Sequence, residues 1–215
     1  MMQKMSRVSR VGATLAVLAM LTLNAVLSER YRLTPIWLPW VAAAIMLGPI
    51  IVGRFVRNSS VWRGVERVSM MTSIFLLLLL NTLNLADVVD EVLFHSGGIV
   101  AETLFLTSIS IWAANMLGFT LLYWEIDRGG PDARVCAAPG YPDFGFPAYT
   151  DPMVLPGWQP TFLDYLFIGF TTSTAFGPTE AMPLTPRAKG LMMVQSVISL
   201  VTIIVVAARA IGIIR

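Results

Sequence analysis

Four hydroxyl side chains stand together in the stretch Thr171 to Gly190, which reads TTSTAFGPTEAMPLTPRAKG. Hydroxyls at the end of a helix can bond back to the carbonyl groups of that helix. The chain has one cysteine, Cys136, and one histidine, His95, which argues against a disulfide or a cysteine- or histidine-based metal centre. An enzyme would need a nucleophile and a base, and the Ser, Asp and Glu residues form no recognisable arrangement of that kind. We therefore expect neither enzymatic activity nor a cofactor.

The composition is that of a membrane protein. Of the 215 residues, 56% are hydrophobic and 13% are charged, and the mean hydropathy is +0.71. Soluble domains carry about a quarter charged residues, so this chain has too little polar surface to cover a globule in water. The net charge of +2 is small and the basic residues are scattered, which argues against a nucleic-acid partner.

Five apolar stretches approach the length of about 20 residues that a membrane-spanning helix needs. They run from about Val11 to Ser28, Pro35 to Val52, Val68 to Ala86, Ile99 to Trp124 and Leu191 to Ile214. The sequence thus predicts an all-α polytopic membrane protein with about five transmembrane helices. Polar residues at membrane depth, such as Asn81 and Asn115, are expected to form hydrogen bonds between helices.

The segment between the fourth and fifth spans has a different character. Residues 125–160 are rich in Pro, Gly and Asp and predict an extramembrane loop. The next residues, TFLDYLFIGFTTSTAFGP, are apolar for about ten positions, which is too short to cross a bilayer. We expect a re-entrant half-helix that stops at Gly177 and Pro178, because a non-helical return is tolerated where it is buried in protein or lines a cavity.

This order of elements resembles the pore region of bacterial potassium channels. The residues DYLFIGFTTSTAFGPTEAMPLTPRAK and the later AARAIG align without a gap with the half-helix, filter and inner helix of that family. The resemblance covers about fifty residues, from Asp164 to Gly212. The shared letters are Asp164, Leu166, Phe170, Thr172, Thr174, Gly177, Pro183, Pro186, Ala188, Ala208, Arg209 and Gly212.

The resemblance implies a site and an assembly. In that family the turn after the half-helix is the selectivity filter, whose backbone carbonyls and a threonine hydroxyl replace the water shell of the ion. Here the filter positions are Thr174, Ala175, Phe176, Gly177, Pro178 and Thr179, and Glu180 stands at the pore mouth. The implied partners are the lipid bilayer and monovalent cations, K⁺ or Na⁺. The implied form is a homotetramer in the bacterial cytoplasmic membrane.

The filter positions depart from the family sequence T-T-V-G-Y-G in a way that predicts a modified filter. Of the two family glycines, Gly177 is kept and the other is replaced by Thr179, a β-branched residue for which a left-handed backbone is strained. Pro178 fixes its own φ and restricts the residue before it. We expect a pathway that is wider, less selective, occluded, or selective by another chemistry.

The sequence further predicts two regions: residues 1–97 with three spans, and a channel-like region, 98–215, which includes the loop 125–160, the half-helix and turn 161–180, and the inner helix 190–214. A non-conducting structural or accessory protein with the same fold is the alternative. Orientation also stays open. The positive-inside rule makes the basic residues before Val11 and between Val52 and Val68 cytoplasmic, which puts the loop on the cytoplasmic side, whereas the resembling channels have theirs outside.

Overall fold

The structure is a computed structural model that describes residues 2–26, 35, 37–38, 40–45, 60–94, 101–135, 141–150, 158–174 and 181–213. Its long helices are α1 (Met2–Val26), α2 (Ser60–Phe94), α3 (Ala101–Ile126) and α7 (Pro186–Ile213). The shorter elements between α3 and α7 are a 3-10 turn (Asp127–Gly129), α4 (Pro131–Val135), β1 (Phe144–Gly145), α5 (Pro147–Thr150), α6 (Phe162–Ser173) and β2 (Met182–Pro183). Residues 40–45 are also helical.

Among the described residues, three helices are long and apolar enough to cross a membrane, which confirms a mostly helical fold of the membrane type. They cover Gly64–Phe94, Glu102–Gly129 and Pro186–Ala208, and they correspond to the third, fourth and fifth predicted spans. The first predicted span lies in α1, whose apolar part is the shorter stretch Gly12–Asn24. Half of the second, including all of its C-terminal part from residue 46 on, lies outside the described residues. The count of five spans therefore stays a prediction.

The chain divides into two compact units. The first comprises Met1–Leu18 and Asn115–Val201, and the second comprises Ala19–Ala114 and Thr202–Arg215. In the second unit, the side-chain amide of Asn81 on α2 donates to the carbonyl of Ile111 on α3 over 3.1 Å, which confirms the expected bond between helices. The boundary predicted at residues 97 and 98 stays a prediction. The candidate site lies in the first unit.

A glycine pair turns the chain at the end of α3. Arg128, Gly129 and Gly130 have φ angles of 49°, 82° and 94°, a left-handed run that glycine adopts without steric cost. After this turn, the buried Arg134 of α4 donates through Nη1 to the carbonyls of Trp124 and Asp127, each over 2.8 Å. A cation at a helix C-terminus satisfies carbonyls that lack an intrahelical partner and complements the helix dipole.

The predicted short helix is α6, and it ends earlier than the sequence suggests. At its start the carboxylate of Asp164 accepts hydrogen bonds from the backbone N–H and the hydroxyl of Thr161, over 2.6 and 2.7 Å. It ends at Ser173, where the N–H of Thr174 bonds to the carbonyl of Phe170, so the helix stops before the Gly-Pro pair. Its 12 residues correspond to about 18 Å, against about 30 Å of membrane hydrocarbon.

Two very short strands join the loop before α6 to the chain after it. β1 pairs antiparallel with β2, with Phe144 opposite Pro183 and Gly145 opposite Met182. The all-α prediction did not include this ladder. It fixes the start of α7 next to residues that precede α6 in the chain.

Candidate functional site

One of the seven predicted site residues is described, and it is the C-cap of α6. This residue is Thr174, whereas Ala175, Phe176, Gly177, Pro178, Thr179 and Glu180 lie outside the described residues. The candidate site is therefore defined by the contacts that hold α6 before this segment and β2 after it.

The hydroxyls of Thr171 and Thr174 at the end of α6 bond back to their own helix. The Thr171 hydroxyl lies 2.9 Å from the carbonyl of Phe167 and 3.1 Å from that of Ile168. The Thr174 hydroxyl lies 3.0 Å from the carbonyl of Phe170 and 3.3 Å from that of Thr171. These two hydroxyls have the local role that Thr and Ser often take at helix ends.

The side chain of Gln195 connects the end of α6 to the middle of two long helices. It is fully buried, and its Nε2 donates to the carbonyl of Gly169 over 2.8 Å and to the hydroxyl of Ser173 over 2.7 Å. Its Oε1 accepts from the hydroxyl of Tyr123 on α3 over 2.5 Å. The Gly169 carbonyl can only accept, so the nitrogen of the amide must be on that side. We call Tyr123, Gly169, Ser173 and Gln195 the amide network.

Further polar groups surround the same turns of α7. The side-chain amide of Asn115 on α3 donates to the Ser199 hydroxyl over 2.9 Å and to the Gln195 carbonyl over 3.3 Å, which confirms the expected helix-to-helix bonding. The Ser196 hydroxyl lies 3.5 Å from the carbonyl of Thr172. Within the described chain, the buried side-chain oxygens of Asn115 and Thr172 have no hydrogen-bond partner. The described groups around the end of α6 are thus polar and uncharged.

Glycines let α6 approach its neighbours closely. A Cβ atom at Gly169 would overlap the hydroxyl oxygen of Thr120 on α3 and would lie 3.2 Å from the carbonyl of Met116. A Cβ atom at Gly12 on α1 would lie 2.8 Å from the ring of Phe162, the first residue of α6. The position of α6 therefore depends on residues without side chains on α1 and on α6 itself.

Charged side chains gather at the opposite end of α6. Asp127 is fully buried, and its Oδ1 accepts the backbone N–H of Asp143 over 2.7 Å. Its Oδ2 accepts the hydroxyl of Tyr165 over 2.5 Å, and the guanidinium of Arg134 lies 5.1 Å from the centre of the Tyr165 ring. Asp127 thus joins the end of α3, the loop and the first turn of α6.

A second buried carboxylate joins the loop to the start of α7. Oδ1 of Asp143 accepts from the Thr185 hydroxyl and from Nε of Arg187, each over 2.5 Å, and Oδ2 accepts from Nη2 of Arg187 over 2.6 Å. The Asp143 side chain is fully buried, whereas that of Arg187 is 60% exposed. We call Asp143, Thr185 and Arg187 the loop clamp. The ion pair between Arg187 and Asp143 is bidentate, which is a stronger geometry than a single hydrogen bond between guanidinium and carboxylate.

The contacts among the residues described hold a short helix in place. In that part of the chain, no group of three or more His, Cys, Asp or Glu side chains could hold a metal ion. The amide network and the loop clamp present carboxamide, hydroxyl and carbonyl groups and one ion pair between a carboxylate and a guanidinium. Such groups bind and orient their neighbours through hydrogen bonds.

Sequence reasoning missed most residues that position α6. Gln195 was visible as a polar exception inside the fifth apolar stretch, but nothing local identified its partners. Asp127, Asp143 and Arg187 lay in or beside a segment expected to be extramembrane, so their mutual contacts had no sequence signal.

Comparisons with protein-family models, with curated proteins and with solved structures find no match to this chain.

Proposed function

We propose that this chain is a subunit of a cation channel in which the segment from Thr174 to Thr179 lines the pathway as a modified filter. The observation that carries the proposal is the attachment of α6. Its last turn is bonded to Gln195, well inside the apolar helix α7, while its first turn and the start of α7 are bonded to the same buried charged cluster.

The spacing of these attachments supports a re-entrant path. Gln195 follows Arg187 by eight residues, which is about 12 Å along the helix axis. Charged side chains avoid the hydrocarbon, so the end with Asp127 and Arg187 belongs near the membrane surface and the end of α6 near half the membrane depth. The seven steps from Thr174 to Ala181 reach at most about 23 Å, which is enough for a return to the surface.

The direction of α6 favours a cation. The C-terminal end of a helix carries a partial negative charge from its unpaired carbonyl groups, and α6 has this end beside the amide network. The surrounding groups that the structure describes are uncharged amides and hydroxyls, so no full positive charge among them offsets this partial charge, although the Thr174 hydroxyl donates to two of the carbonyls. At the predicted mouth, Glu180 would add a full negative charge.

Exposed apolar surface on α6 and α7 supports assembly from several copies. Leu163 and Phe167 on α6, and Met193 and Val197 on α7, are all exposed in the single chain. One chain supplies one return segment, which cannot enclose a pathway alone. Irregular backbone facing lipid is not tolerated in the hydrocarbon, so we propose that neighbouring copies cover it in a homotetramer. The proposed location is the bacterial cytoplasmic membrane.

A non-conducting structural or accessory membrane protein is the second candidate. The observation that favours it is the back-bonding of Thr171 and Thr174, because these hydroxyls have local partners without an ion. The same helix and the same network would then serve only to pack the unit.

Flux of K⁺ and Na⁺ into liposomes that contain the purified protein tests the proposal. The wild type should pass cations. A variant with Pro178→Gly and Thr179→Gly should pass more K⁺, because its backbone can then adopt the filter conformation of the potassium channels that the sequence resembles. Gly64→Ala, at a position with nothing within 4 Å, is the matched control and should behave like the wild type. If the wild type and the glycine variant are both silent although folded, the non-conducting function is the better one.

A further inference from the structure

The loop clamp attaches α7 at a point remote from the amide network. Besides its side-chain bonds, Asp143 accepts the N–H of Leu184 at its own carbonyl over 2.8 Å. Its N–H donates to Asp127, so it is bonded in turn to the end of α3. A single buried residue of the loop therefore connects the end of α3 to Leu184 and Thr185, which precede α7, and to Arg187 in its first turn.

Thr185 links this carboxylate to the first turn of α7. Its hydroxyl donates to Asp143 and also lies 3.3 Å from the N–H of Ala188, which it accepts as a helix N-cap does. The carboxylate thus orients the hydroxyl so that its lone pair points to the helix. Arg187 alone would be poorly placed at a helix N-terminus, where the dipole disfavours a cation, and its pairing with Asp143 offsets this.

We infer that Asp143 is a positioning residue that sets the position of α7 along its helix axis. Through α7, it also sets the position at which Gln195 holds the end of α6. The inference rests on the proposed function in one respect only: a displaced α6 alters ion flux only if the chain conducts ions. Its physical basis is that a helix is stiff along its axis, so fixing the first turn of α7 also fixes a side chain about 12 Å further on. Asp143 itself touches no residue of the amide network among the bonds described.

The burial of the two partners predicts an asymmetry between variants. Arg187→Gln leaves the Asp143 carboxylate buried and without its counter-charge, which is the costly way to break an ion pair. Asp143→Asn leaves Arg187 unpaired, but its side chain is 60% exposed and keeps its hydration. The double variant removes the buried charge as well. We expect Arg187→Gln to have the largest effect, and the double variant to resemble Asp143→Asn.

Hydrogen exchange of the backbone, measured by mass spectrometry on the protein in nanodiscs, is the test. In Arg187→Gln, exchange should rise roughly tenfold in the peptide covering residues 181–189 and also several-fold in the last turn of α6, Gly169 to Thr174. The added Asp143→Asn substitution should restore most of the protection in both. Lys189→Gln removes an exposed charge from the same helix turn and should change neither.

Two results would overturn the inference. The first is faster exchange in residues 181–189 with unchanged exchange in α6. The clamp would then stabilise only its own neighbourhood and not the end of α6. The second is exchange in Arg187→Gln that matches the wild type in both regions, which would show that the clamp does not hold the start of α7. Neither readout depends on conduction, so a silent wild type in the flux assay would remove the proposed function while the exchange data still decide the role of Asp143.

Discussion

Replacing Gln195 by Met should loosen α6 from the two long helices without leaving a large cavity. Met has nearly the volume of Gln and packs flexibly, so the main loss is polar. The hydroxyls of Tyr123 and Ser173 and the carbonyl of Gly169 each lose a partner inside a fully buried site. The perturbation is thus the removal of three hydrogen bonds at one position.

The size of this effect follows from the membrane setting. Hydrogen bonds between helices in membrane proteins contribute about 0.6 kcal/mol each, so three contribute about 2 kcal/mol, or roughly a 30-fold change in the unfolding equilibrium. Values from water-soluble proteins, about 1 to 3 kcal/mol for each orphaned group, would give a larger sum. We use the membrane value, because the unfolded chain in lipid also finds partners. Tyr123→Phe, which removes one of the three bonds, should cost about a third as much.

Equilibrium unfolding in mixed micelles, followed by circular dichroism over a denaturing-detergent series, measures this difference. The matched control is Ser196→Ala, since the bond from Ser196 to the Thr172 carbonyl is 3.5 Å long and at the limit of a hydrogen bond. The reasoning is refuted if Gln195→Met is no less stable than Ser196→Ala, or if Tyr123→Phe costs as much as Gln195→Met.

Two other predictions concern packing and assembly. Gly169→Ala should destabilise the chain by about 1 to 3 kcal/mol, because its Cβ would overlap Thr120. Gly64→Ala, the control, should be neutral or slightly stabilising. Equal stabilities of the two variants in the same unfolding assay would contradict the close contact at Gly169. Native mass spectrometry from nanodiscs should give a mass of four chains of 23.6 kDa, and a spectrum of monomers alone would remove the channel proposal.

The sequence predicted those parts of the fold that depend on local composition. Three of the apolar stretches are helices long enough to cross a membrane, because hydropathy accumulates along the chain and needs no partner. The short helix was also predicted, because its apolar run is too brief to cross a bilayer. Its end at Ser173 was missed, because Gly177 and Pro178 are stronger helix terminators in a sequence than the hydroxyl of Thr174.

The candidate site was less predictable because its contacts are long-range. Gln195 meets Gly169 and Tyr123, which are 26 and 72 positions away, and Arg187 meets Asp143 at a separation of 44. Such pairs follow from how helices pack and leave no periodic pattern in the chain. A buried carboxylate in a loop looks like a solvated one until its partner is placed beside it.

Single-channel recording in planar bilayers tests the central claim, a cation pathway through the segment after α6, most directly. The wild type should carry a cation-selective current, and Glu180→Gln should lower its conductance in dilute salt, where charges act over about 30 Å, but not near 1 M, where they act over about 3 Å. Glu102→Gln, on an exposed residue at the start of α3, should leave the curve unchanged. A folded wild type without cation current would contradict the claim, and conductances of wild type and Glu180→Gln that coincide at every salt concentration would remove Glu180 from the pore mouth.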